Sequence, residues 1–139
     1  MFLPIKKAMA VLSVFIITFT SAHAAMAKDF CLGTFSSLHL HKESGDLSGT
    51  EIKIVTTRAG KQAAIQFSDG EPGSLIVTPL ACDGAHVSFK LPRGDEHDAA
   101  FDGATFKGIV SANRLVGEFV FQGGGREHVT LARRKSYWD

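Results

Sequence analysis

TFKGIVSANRLVGEFVF, residues 105–121, is the stretch whose reading decides the fold class. Its first half places Phe106, Gly108 and Val110 on one side. Its second half places Leu115, Gly117, Phe119 and Phe121 on one side, with Glu118 opposite. Between them, Ser111-Ala112-Asn113-Arg114 is a short turn. Alternation at period two belongs to half-buried strands, because successive strand side chains point to opposite faces. The same grammar extends in both directions. Downstream, Gly123-Gly124-Gly125 reads as a hairpin tip, and residues 127–134 read as the last strand, with Val129 and Leu131 inward. Upstream, Asp83-Gly84 reads as a two-residue hairpin turn leading into residues 85–91.

Further strands are predicted at residues 34–41, 50–57, 62–67 and 74–80, with a short strand or edge piece at 99–102. Ile52 and Ile54 face one way in the second of these, and Glu51, Lys53 and Val55 the other. Asp69-Gly70-Glu71-Pro72-Gly73 is a strong loop signal. Residues 74–80 are nearly continuously apolar. Residues 92–98 are the most charged and least periodic, and read as the longest exposed loop. Turns every ten residues or so define an all-β chain. Short sequential hairpins favour an antiparallel up-and-down β-barrel of about eight strands over the alternative, a β-sandwich. Outward positions carry Glu, Lys, Gln and Ser, unlike the apolar exterior of an outer-membrane barrel.

The N-terminus reads as an address. Lys6 and Lys7 precede an apolar stretch, residues 8–19, that is short for a bilayer span, and Ala22-His23-Ala24 supplies a cleavage site. Residues 1–24 are therefore expected to be a signal peptide. Residues 25–139 are expected to form one domain, periplasmic or secreted, without membrane insertion. That domain carries 13 Lys and Arg against all 14 Asp and Glu of the chain. A net charge near −1 argues against nucleic acid as a partner, because phosphate contacts need a basic surplus. In an oxidising compartment the only two cysteines, Cys31 and Cys82, are expected to pair.

Gly33-Thr34-Phe35 near the start of the first strand and Leu131-Ala132-Arg133 near the end of the last frame the barrel. Between them lie Phe106-Lys107-Gly108-Ile109-Val110 and Leu115-Val116-Gly117-Glu118-Phe119. This layout resembles the calycin-type β-barrels, and most of all the small lipocalin-like domains of bacterial secreted proteins. In calycins a Gly-x-Trp opens the first strand, and an Arg or Lys of the last strand covers the indole. Phe35 stands here in place of the Trp, and Arg133 at the basic position. The resemblance implies closure of one barrel end by Arg133 over Phe35, with Arg134 pointing away. It also implies a non-catalytic binding protein for a small apolar ligand. A second resemblance, in size, secretion and a single disulfide, is to periplasmic lysozyme inhibitors. It implies a protein-binding module, a hydrolase inhibitor or an envelope accessory protein.

His39-x-His41 has the spacing of some β-sheet metal ligands, with His86, His97 or His128 as a possible third. If the first strand is regular and Phe35 points inward, both histidines point inward too. A bulge at Ser36-Ser37 turns Leu38 and Leu40 inward instead. The apolar pair favours the bulge, so no metal is expected. Asp95-Glu96-His97-Asp98 has acid–base groups but reads as solvated decoration. The chain has no nucleophile elbow, phosphate loop or His-Glu-x-x-His. Neither an enzyme nor a cofactor is expected. Eight phenylalanines outside the leader fill much of an eight-stranded interior, leaving at most a narrow apolar slot.

Overall fold

A computed structural model describes residues 29–94 and 99–139. The expected leader and the charged segment 95–98 lie outside the described residues. The strands are β1 (Gly33–Ser36), β2 (His39–Leu40), β3 (Leu47–Thr57), β4 (Gly60–Asp83), β5 (His86–Lys90), β6 (Thr105–Val110), β7 (Arg114–Val120) and β8 (Arg126–Arg133). They form a closed antiparallel barrel of eight staves plus one outer strand, with almost no helix. The order is β1-β8-β7-β6-β5-β4-β3-β2, and β1 also pairs with β3 to close the ring. β2 is the outer strand, paired with β3 alone through His39↔Ser48 and Leu40↔Leu47. β4 supplies two staves.

The two arms of β4 depart from the expected strand–loop–strand pattern. Ladder structure persists from Gly60 to Asp83. The first arm pairs with β3 as far as Gly70, and the second meets β5 from Leu80. Around Gly70 the chain folds back, and the Gln66 side-chain amide donates to the Gly73 carbonyl at 2.8 Å. The turn residues are present as expected, but the reversal is tight enough to stay within the ladder.

Two other elements differ from the sequence reading. Residues 99–102 do not extend as a strand. Ala99–Phe101 form a single 3-10 turn, closed by Asp102 N–H to Ala99 O at 3.2 Å and Ala104 N–H to Phe101 O at 3.1 Å. The turn lays Phe101 flat on Phe67, centroids 3.8 Å apart. The first strand breaks after Ser36. Ser37 N–H bonds Thr50 O at 2.9 Å, and Thr50 N–H bonds Ser37 Oγ at 3.0 Å, which holds the break in place. Leu38 then points inward and is buried, but Leu40 is 50% exposed. The bulge reading holds for Leu38 and fails for Leu40, because β2 runs along the outside of the ring.

The core follows the alternation. Ile52, Ile54, Ala63, Ile65, Val87, Leu115 and Leu131 are buried. Rings run along the axis from Phe121 to Phe101 at 5.6 Å, to Phe67 at 3.8 Å, to Phe119 at 5.4 Å, and to Phe106 at 4.7 Å. Phe89 stacks on Phe106 at 4.8 Å. Each such pair adds about 0.5–1.5 kcal/mol beyond its buried area. Gly108 and Gly117 face each other across β6 and β7. A Cβ on Gly117 would sit 2.3 Å from Phe106 Cζ, so the glycine makes room for the central ring.

Candidate functional site

One end of the barrel is sealed by the side chains that frame it in sequence. Phe35 and Arg133 are register partners across β1 and β8. The Arg133 guanidinium carbon stands 4.5 Å from the centroid of the buried Phe35 ring. Its three polar contacts are carbonyls: Leu32 O at 2.5 Å, Phe30 O at 2.6 Å and Ser111 O at 3.2 Å. A planar guanidinium suits this, since one face stacks while the rim donates. Gly33 is required beside it: its φ is +135°, and a Cβ there would lie 2.5 Å from Arg133 Nη1. The Cys31–Cys82 disulfide joins the entry to β1 with the end of β4 at this rim, closing a separation of 51 residues. In the chain-entropy picture a loop of that size contributes about 4 kcal/mol. Asp29 reaches Lys61 Nζ at 2.9 Å nearby. Hydrogen bonding to that ammonium holds the Asp29 carboxyl below its usual value, more than its slight desolvation raises it.

Arg134 corrects the sequence reading. It does not point away from the fold. Its guanidinium donates to the Leu38 carbonyl and reaches Ser36 Oγ at 3.4 Å, so it pins the break between β1 and β2. The segment after it turns back over the outer face of β3 and β4. Ser136 Oγ donates to Glu51 Oε1 at 2.5 Å, Tyr137 N–H donates to Glu51 Oε2 at 3.0 Å, and Trp138 Nε1 donates to Gln66 Oε1 at 2.6 Å. Glu51 is buried on the outward side of β3 for this reason. Sequence periodicity gives no sign of this strap, because the tail has no period and Glu51 sits where a solvated carboxylate belongs.

The opposite mouth is plugged. Phe101 covers Phe67, and Arg93 Nη2 donates to Gln122 Oε1 at 2.9 Å beside it. A hollow of about 270 Å³ remains at this rim, between Phe67, Phe101, Ile76 and the 71–74 turn. The Phe67 and Phe101 rings form one side of it, and Asp69 and Glu71 line it on the turn side.

The larger features lie outside. Along the second arm of β4, Ile76, Thr78 and Leu80 are buried while Leu75 and Val77 are 64% and 56% exposed. Farther along the barrel, level with Asp83 through His86, Ile109 and Val116 are register partners on β6 and β7 and are 53% and 43% exposed. They border a cleft of about 550 Å³ whose floor is Gly108 and Gly117 and which Ala81 also lines. Lys107, Glu118 and His128 edge it, and Glu118 holds Arg126 at 2.9 Å and His128 at 3.2 Å. His39 on the outer strand and His41 just after it are both exposed, with ring centroids 4.5 Å apart. Neither belongs to the core. Among the described residues, the group of three metal-capable side chains that converges is Asp29, Cys31 and Cys82, and its two sulfurs form the disulfide. No helix among the described residues is long and apolar enough to cross a membrane. Compared with known proteins, the chain matches no family model, no curated protein and no solved structure.

Proposed function

We propose that this chain is a secreted or periplasmic, non-catalytic protein-binding module that engages its partner through the outer wall of the barrel. The observation that carries the reading is the second arm of β4, which is apolar on both faces. A strand of a solvated barrel needs only one apolar face. Ile76 and Leu80 serve the core, while Leu75 and Val77 stand in water. Adjacent exposed aliphatic groups on an otherwise solvated strand mark an interaction surface. The packed rings support the same choice, since they leave a lipocalin-type ligand little space within the barrel. The partner is a folded protein that offers an aliphatic or aromatic surface, the chemistry of an inhibitor's target or of an envelope assembly.

A second reading rests on the cleft itself. Its 550 Å³ is in the range of small-molecule sites, and its mostly apolar lining has a few charged groups at the edge. A small apolar ligand would then sit on the wall rather than in the lumen. Native mass spectrometry of the protein purified from its own compartment separates the two. The protein-binding reading expects a complex of protein mass that Leu75→Asp and Val77→Asp abolish. A retained small molecule on an otherwise monomeric chain would overturn it in favour of the cleft ligand.

A further inference from the structure

We propose that His39 and His41 form a surface site for a divalent transition cation, zinc or copper, on the outer strand. The argument starts from the strand. His39 lies in β2 and His41 just beyond its end, and their ring centroids are 4.5 Å apart with planes at 66°. Both rings are exposed. Neither has a place in the core that would account for the pairing.

The His39 tautomer is also set. Its Nδ1 lies 3.0 Å from the Ser37 carbonyl oxygen. A carbonyl only accepts, so Nδ1 carries the hydrogen and Nε2 of the neutral ring keeps its lone pair for a metal. A backbone carbonyl on the second imidazole nitrogen is the outer-shell partner that ligating histidines use. The backbone at His41 is equally fixed. Its N–H bonds Asp46 O at 2.8 Å, and its carbonyl accepts from Gly45 N–H at 2.7 Å. His41, Glu43, Asp46 and Asp69 line one polar hollow of about 710 Å³. Two imidazoles with water completing the shell suit zinc and copper rather than magnesium or calcium.

The test uses the untagged, disulfide-bonded chain lacking residues 1–24. Calorimetric titration with Zn(II) should show one saturable site per chain. His39→Ala and His41→Ala should each weaken it by about tenfold or more, a loss at least as large as removing an outer-shell partner causes. His86→Ala and His128→Ala should leave it unchanged. Circular dichroism of each variant shows whether the barrel is intact, which removal of exposed rings should not disturb. Independently of any variant, Cu(II) bound to the wild-type chain should show hyperfine coupling to two imidazole nitrogens. Absence of saturable Zn(II) binding would overturn the proposal. So would equal affinity in His39→Ala or His41→Ala, or loss of the site in His128→Ala.

Discussion

Arg133 is the residue on which closure turns. It stacks on Phe35 and donates to three main-chain carbonyls. Stacking on an aromatic face contributes about 0.5–1 kcal/mol where exposed, and hydrogen bonds from a charged donor about 1.5–3 kcal/mol. Arg133→Ala should therefore destabilise the chain by about 2–3 kcal/mol in urea denaturation. Arg134→Ala, which gives up fewer such bonds, should cost about 1 kcal/mol. Equal midpoints for the two variants would contradict this ranking. The Phe35–Arg133 meeting was legible in the sequence, because a closed meander brings the start of its first strand and the end of its last to one rim. The role of Arg134 was not. It depends on the break after Ser36 and on the path of an aperiodic tail. Asp29 gives a pH test at the same scale. Its carboxyl titrates below the usual value because of Lys61. A carboxyl whose folded value is depressed stabilises the fold above its ordinary value, and that contribution is lost as pH falls through the depressed one. Lys61→Ala should move the Asp29 titration upward in an NMR pH series and flatten this acid dependence. An unmoved Asp29 titration would show that Lys61 is not the cause.

At the scale of elements, the β6–β7 pair is built around an absence of side chains. Phe106 lies against Gly108 and Gly117, and a Cβ on Gly117 would also come within 2.7 Å of the Lys107 carbonyl. Neither a packed ring nor a ladder carbonyl yields easily, so Gly117→Ala should cost about 1–3 kcal/mol as overpacking. Gly123→Ala, at a hairpin tip with nothing within 4 Å of the new carbon, should be close to neutral. Thermal unfolding of both variants checks the contrast, and a tolerated Gly117→Ala would show that the central ring is not tightly seated. Period two exposed these strands well, since inward residues had to be apolar or small. It failed where two signals competed. At residues 69–73 the turn chemistry suggested a loop, whereas a reversal this tight keeps its flanks in the ladder. At residues 99–102 apolar content suggested an edge strand, whereas local hydrogen bonds wound a 3-10 turn that aims Phe101 at Phe67. β2 ended up on the outside for a reason no single strand reveals: the ring was already closed by β1 against β3.

Over the whole molecule, a barrel packed with rings on the inside carries aliphatic side chains on the outside. Seven phenylalanines at inward positions indicated a packed interior from the sequence, while the eighth, Phe30, stays exposed. The site on the wall was only half legible. The continuous apolar run at residues 74–80 signals burial on both faces, but only the closed ring shows that the second face is left to solvent. In the proposed function, this wall, and not the lumen, binds a protein. Site-specific photocrosslinking in the native compartment tests it most directly, with a photoreactive side chain at Val77 and, as a control on the outer face of β3, at Lys53. One discrete protein adduct is expected from Val77 that disappears when Leu75 is changed to Asp, and none from Lys53. No adduct from Val77, or the same adducts from both positions, would contradict it.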